Sequence, residues 1–267
     1  MSRNKQFFNE ALNLENKDKP YAIATVIKVI GSSSGKVGDK AIFDEKGYRV
    51  MGYIGGGCIE NRVSDAAIET LINGIPKTID IDLDSETMEK GIPCGGTMSV
   101  IVEPQEVNPT ILIRGEGRIV EVLCGMAKLL NFKIIIHTSK NFTQTSRTND
   151  ELYPGADEII TDALNVEDIN EKIDYFILAT HHSNDDKIAL EAIKKGINYV
   201  GVIASQKKAE LIKKYLMDNK VSDLKIKNLY TPIGLNLKAK TPEEIALSIL
   251  SEMVMLENGA SGKQMKI

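Results

Sequence analysis

Thr110-Ile-Leu-Ile-Arg114 runs directly into Gly115-Glu-Gly117, and apolar residues then recur at helical spacing to about Asn131. A short β-prone run turned by two glycines into an amphipathic helix is how a βαβ unit begins. Phe132–His137 (FKIIIH) reads as the next strand. The alternation continues with a strand over Lys172–Thr180, a helix over 184–195 closed by Gly196, a strand over Asn198–Ala204 and a helix over 205–219. Apolar strands alternating with helices predict a parallel sheet covered on both faces. The last helix opens at Thr241-Pro-Glu-Glu244, a capping box with proline at the first helical position. Residues 107–267 are therefore expected to form a Rossmann-like domain, with a disordered tail from Gly259.

Working back toward the N-terminus, Pro104–Pro109 reads as a linker and the pattern before it differs. A helix over 5–16 precedes the β-branched run Tyr21–Ile30. Ala41–Phe43 and Tyr48–Ile54 flank Asp44-Glu-Lys-Gly47 as a hairpin. Ile59, Val63, Ala67 and Leu71 mark one face of a helix stopped by Asn73-Gly74. Lys77–Leu83 and Thr97–Glu103 read as two more strands. Residues 1–106 are expected to form a small α+β domain, so the fold class is α/β with two domains. A length of 267 residues agrees with that, at roughly 150 per domain.

Lys and Arg number 33 against 37 Asp and Glu, a net charge of −4 with no long run of either sign. Such a chain has no basic footprint for nucleic acid. It also has no apolar run of the roughly 20 residues that crosses a bilayer, and the N-terminus lacks the apolar core of a signal peptide. Three widely spaced cysteines, Cys58, Cys94 and Cys124, form neither a disulfide framework nor a zinc site. A cytoplasmic protein with reduced thiols is the expectation.

The first domain carries three glycine-rich loops: Gly31-Ser-Ser-Ser-Gly-Lys-Val-Gly38, Gly55-Gly-Gly-Cys58 and Pro93-Cys-Gly-Gly96. Glycine lets a backbone approach a ligand closely and aim several N–H groups at one point. The second loop also opens a helix, whose unpaired N–H groups favour an anion and lower the pKa of a thiol placed there. Cys58 can thus be a nucleophile, a soft metal ligand or a sulfur carrier, with Cys94 as its companion, whereas Cys124 belongs to a helix core. The competing reading is that such loops are turns and such cysteines small buried hydrophobes.

In the second domain, Gly115 and Gly117 stand where a dinucleotide fingerprint has its first two glycines, but Val120 replaces the third. The next strand ends in His137 rather than the carboxylate that would bind an NAD ribose, and Ser139 and Lys140 leave NADP open. His181 and His182 lie at a strand's carboxyl end, where they can act as acid, base or metal ligand. Equally, Ser183 or Asn184 can simply cap the helix that follows.

These residues resemble a known family. GSSSGKVGDKAIF (31–43), GYIGGGCIENRVSDAAIETL (52–71) and GIPCGGTMSVIVEP (91–104) are similar to the amino-terminal part of the XdhC/CoxI family. YVGVIASQKK (199–208) and TPIGLNLKAKTPEEIALSIL (231–250) resemble its Rossmann domain. The resemblance implies an accessory protein that binds the molybdenum cofactor (molybdopterin), assists its sulfuration and delivers it to a xanthine dehydrogenase-type molybdenum hydroxylase. It implies a homodimer, with a cysteine desulfurase as a further partner, and no nucleic acid or membrane. The cofactor-binding candidates are Ser32, Ser33, Gly55, Gly56, Gly57, Cys58, Glu60, Cys94, Gly95 and Gly96. Cys58 and Cys94 are the candidate thiols and molybdenum contacts; Gly115, Gly117 and His181 are the nucleotide candidates. Departures from the family pattern are Ser34 and Gly35 in place of Pro-Arg, Arg118 in place of His, His137 in place of an acid and Ser183 in place of a second histidine. An NAD(P)-dependent oxidoreductase and a thiol-dependent sulfurtransferase are the alternative functions.

Overall fold

The computed structural model describes residues 3–82, 96–105, 108–138, 148–162, 164–180 and 184–266, with the backbone alone at 3, 58, 149 and 150. The chain divides into two compact units, Met1–Val107 and Asn108–Ile267.

Unit 1 is built on an antiparallel sheet. It contains α1 (Arg3–Glu15), β1 (Tyr21–Gly31), β2 (Lys40–Asp44), β3 (Arg49–Gly52), α2 (Cys58–Asn73), β4 (Lys77–Asp82) and β5 (Gly96–Gln105), in strand order β3-β2-β1-β5-β4. Period-two alternation sends Ala22, Ala24 and Val26 to one face of β1, where they pack with Val100 and Val102 under Ile59, Val63 and Ala67 of α2. The opposite face holds Tyr21 and Ile42 against Phe7, Ala11 and Leu14 of α1. One helix therefore covers each face of the sheet. Pro104, read from sequence as linker, lies inside β5 opposite Ala22. A proline fits there because pairing with β4 ends at Lys77 and Val102, so no ladder bond on that side needs its missing N–H.

Unit 2 has the parallel sheet that the sequence predicts. Its strands are β6 (Thr110–Gly115), β7 (Lys133–His137), β8 (Glu158–Ile160), β9 (Tyr175–Ala179), β10 (Tyr199–Val202) and β11 (Leu229–Tyr230), ordered β11-β10-β9-β6-β7-β8. Its helices are α3 (Arg118–Leu129), α4 (Asn149–Leu152), α5 (Asp185–Lys195), α6 (Gln206–Asp218), α7 (Asp223–Ile226) and α8 (Pro242–Glu257). Strand order reverses between β6 and β9, the doubly wound arrangement of two βαβ halves. Ile111, Ile113, Ile134 and Ile136 face α3 and α8, while Leu112, Ile135, Phe176 and Leu178 face α5 and α6. Burial on both sides explains why these strands are apolar throughout. Val120, which replaces the third fingerprint glycine, is fully buried in the α3–α8 layer.

Two strands and two short helices escaped the sequence reading. β8 has three residues and β11 two, and α4 and α7 have four each, too short for any periodicity to show. The capping box is as read: Thr241 Oγ1 accepts from Glu244 N at 3.2 Å, and Glu244 Oε2 accepts from Thr241 N at 3.1 Å. The tail departs from its expectation of disorder. Ala260 N donates to Met255 O at 2.8 Å, and Gly262 packs against Met255, whose Sδ would lie 2.8 Å from a Cβ placed there. The chain therefore folds back along α8.

Candidate functional site

In unit 1, three glycine-rich segments far apart in sequence meet at one end of the sheet. β1 finishes at Gly31, in register with Gly96. A Cβ on Gly96 would lie 2.4 Å from Ile30 O and 3.0 Å from both Ser32 N and Ser32 O. On the other side of the same loop, a Cβ on Gly35 would lie 2.4 Å from Ile54 O, and one on Gly55 would lie 3.2 Å from Ser34 Oγ. Residues 32–38 are thus wedged between the start of β5 and the turn that leads into α2. Ser33 Oγ accepts from Gly35 N at 3.2 Å and shapes that loop, while Ser32 is exposed.

The turn ends at Gly57, the N-cap of α2, which supplies no side chain to the first-turn N–H groups. Added Cβ atoms on Gly56 or Gly57 would meet nothing within 4 Å. Open space therefore lies before a 16-residue helix start with uncapped donors, a setting that favours an anion. Cys58 is the first residue of that helix. Its thiol, and all of Cys94 and Gly95, lie outside the described residues.

Glu60 is committed elsewhere. Its Oε1 receives Arg49 Nε at 2.7 Å, and Arg49 Nη1 also donates to Gly52 O. Glu60 ties β3 to α2 instead of capping the helix. Both side chains are partly exposed, so the pair contributes about 1 kcal/mol or less. Sequence reading did not single out Arg49, because its partner is set by the hairpin's position over α2.

Beside the loop junction, unit 1 has a cavity of about 870 Å³. Phe7 and Phe8 of α1, Tyr53, Ser34, Lys36 and Lys40 are among its lining residues. Asp39 Oδ2 accepts from Lys36 N at 2.8 Å, and Lys40 Nζ donates to Thr25 Oγ1 at 2.8 Å. Ser34 belongs to both the cavity wall and the contact with Gly55. The Gly35-Lys-Val-Gly-Asp-Lys40 stretch was a legible signal for the two cations, but not for the aromatic residues that line the same cavity.

In unit 2, the carboxyl ends of the central strands gather a second set of polar groups. Gly115 closes β6 against β9, and Gly117 is the N-cap of α3, again without a side-chain cap. Arg118 reaches across to Glu243 of α8 at 3.1 Å and to Glu121 at 3.4 Å, so it braces α3. Asp185, the first residue of α5, is buried and accepts from both Thr180 Oγ1 and Lys208 Nζ. Asn184 holds the N-cap position at φ 89°, yet its side chain makes no cap bond. The expected cap by Asn184 is therefore corrected: among the described residues, Asp185 holds the strand-to-helix turn. His181, His182 and Ser183 lie outside the described residues.

Comparison with known proteins bears on both units. Residues 111–253 match the XdhC Rossmann domain, and residues 14–82 match the XdhC and CoxI family. The chain belongs to the XdhC and CoxI family. It is 27% identical over 259 residues to the uncharacterized protein YqeB of Escherichia coli, covering 96% of this chain and 47% of that one. It is 26% identical over 164 residues to a probable xanthine dehydrogenase subunit of Bacillus subtilis, covering 59% and 46%. The chain thus spans about half the length of these curated relatives. A crystal structure of a xanthine dehydrogenase from Bacillus halodurans superposes with a TM-score of 0.50 at 24% identity, over 98% of this chain and 97% of that one, a likeness of fold.

For this XdhC-family chain, Cys124 is the cysteine whose side chain lies among the described residues. Cys124 is fully buried in α3, and its thiol lies 3.5 Å from Pro154 O. Burial, helped by the nearby Asp157 carboxylate and opposed by Lys128, pushes that thiol up to about 12. It is therefore protonated at neutral pH and poorly nucleophilic. Iodoacetamide at pH 8 is expected to leave Cys124 unmodified in the folded protein and to alkylate it in urea; peptide mass mapping reads both, and native labelling would contradict the burial. Among the described residues, no group of three or more His, Cys, Asp or Glu is placed to hold a metal ion. No helix among them is long and apolar enough to cross a membrane.

Proposed function

We propose that this chain is an accessory factor for a xanthine dehydrogenase-type molybdenum hydroxylase, carrying the molybdenum cofactor as cargo in unit 1 and assisting its sulfuration and transfer. The loop 32–38, held between Gly96 on one side and the Gly55 turn into the uncapped start of α2 on the other, carries the reading. An anionic phosphate arm suits the N–H groups around Gly56, Gly57 and Cys58, with Ser32, Ser33 and the Lys36 cation along the same loop. The cavity beside it, lined by Phe8 and Tyr53 as well as Lys36 and Lys40, has room and chemistry for a planar heterocycle. Thiolates at Cys58 and Cys94 are soft ligands suited to a molybdenum–sulfur centre, and either can hold sulfur as a persulfide.

The name of the Bacillus subtilis relative supports the choice of hydroxylase as recipient. A second copy of the chain and a cysteine desulfurase complete the set of partners in this reading. The sulfurtransferase alternative uses the same two thiols but has no need of the cavity.

Anaerobic titration with isolated molybdenum cofactor tests the proposal. Wild-type protein is expected to bind saturably. Cys58→Ala and Cys94→Ala should weaken binding by about tenfold or more each, or 1.4 kcal/mol. Cys124→Ala, in the other unit, should not change it. Absence of binding to folded wild-type protein, or equal binding by all three variants, would overturn the assignment.

A further inference from the structure

The last helix, α8, is apolar on more sides than its own core uses. Ala246, Ile249 and Met253 are buried in the layer that α3 and α8 form over the sheet. Leu247, Ser251, Val254 and Met255 follow a second stripe at helical spacing, and they line a cavity of about 480 Å³. Leu129 at the end of α3 and Gly262 of the returning tail are among its other walls. Between Glu244 and Glu257 the helix carries a single charged residue, Glu252. That carboxylate is committed, accepting from Tyr199 OH at 2.7 Å and from Gly234 N at 3.1 Å. The second stripe therefore contains no charge, yet Leu129 is 83% exposed and Leu247 48%. A surface helix ordinarily turns one apolar stripe inward and a polar face outward. Apolar side chains that gather around one exposed hollow, instead of standing singly, mark a docking face.

The face itself says what fits it. It holds a projection and a hollow together, since Leu129 stands out to solvent at the rim of the cavity. A patch that docks on its own copy across a two-fold axis needs both. Ser251 lies midway between Leu247 and Met255, so the smallest side chain of the stripe is at its centre, where two crossing helices approach most closely. Charge then orders the pair. α8 opens with Glu243 and Glu244, while the chain after Glu257 has Lys263 and Lys266 and no acid. Antiparallel helices bring the acidic start of each beside the basic end of the other, whereas a parallel pair would set like charges together.

We propose that a second copy of this chain docks here, the two α8 helices lying antiparallel across a two-fold axis at Ser251. Each hollow then takes apolar side chains from the other copy, and both stripes leave water. This interface rests on the second copy in the functional reading above, and on none of the cofactor chemistry of unit 1.

Sedimentation velocity of the full chain, together with cross-linking, tests the interface. Wild-type protein is expected to run as a dimer at micromolar concentration. Leu247→Glu puts a carboxylate from each copy into the seam and should weaken dimerisation about thirtyfold or more, with unchanged far-UV circular dichroism. Ser251→Cys should form a disulfide with its counterpart under mild oxidation, mapped by mass spectrometry as a peptide joined 251 to 251. That variant also decides the matter where Leu247→Glu fails to fold. A wild-type dimer that Leu247→Glu leaves intact, or from which the Ser251→Cys variant yields no such peptide, would overturn this interface while sparing the second copy. A wild-type monomer would overturn both, whatever unit 1 binds in the cofactor titration, and would leave the face to an apolar small molecule or another protein.

Discussion

Gly115→Ala is expected to destabilise unit 2 by about 3 kcal/mol, the sum of backbone strain and an overlap that cannot relax. Gly115 has φ 153°, a conformation that L side chains rarely adopt, and a Cβ there would lie 2.2 Å from Ala179 O and 2.6 Å from Ala179 C. The obstacle is backbone, and that backbone is the paired strand β9. Relief therefore requires parting β6 from β9, at the point where strand order reverses. Urea unfolding followed by unit-2 tyrosine fluorescence should show a lower midpoint with little change in slope. An unfolding free energy within about 0.5 kcal/mol of wild type would mean that the two strands do not approach as described.

Asp185→Ala should cost a similar amount, about 3 kcal/mol, by a different route. The Asp185 side chain is 2% exposed and accepts from both Thr180 Oγ1 and Lys208 Nζ, so it links β9, α5 and α6. Truncation strands one hydroxyl and one ammonium at once. Lys208 is 38% exposed and can partly turn to water, which keeps the loss at the lower end for a broken buried pair. Asp185→Asn keeps an acceptor for Thr180 and should lose less. In a double-mutant cycle with Lys208→Met, a coupling energy near zero would remove the ion pair from this account.

How much of this was legible beforehand depended on the range of the interactions involved. Local patterns identified most elements of regular length. Ile59, Val63 and Ala67 announced α2, Thr241 and Glu244 announced the start of α8, and the apolar runs 110–114, 132–137 and 172–180 announced a parallel sheet. The strands of two or three residues, β11 and β8, were missed because they exist through pairing to a neighbour already in place. Pro104 was misread for a related reason: whether a strand position needs its N–H depends on where the adjacent strand stops.

The same division holds at the candidate sites. Glycine content, the order of the motifs and the family resemblance are properties of the linear chain, and they named the loops. They could not show that Gly35 and Gly96 close on opposite sides of one loop, since those contacts join residues about 20 and 60 positions apart. Glu60 looked like a helix-start ligand until the hairpin delivered Arg49 to it. His137 read as a missing carboxylate, and its Nε2 contact with Asp162 O comes from 25 residues away. The sequence by itself determined the fold class, the two-domain order and the family, because periodicity, caps and motif spacing act within a few residues. Tertiary structure alone decided which donors and acceptors remain without partners, because that depends on what distant segments bring to the same buried place.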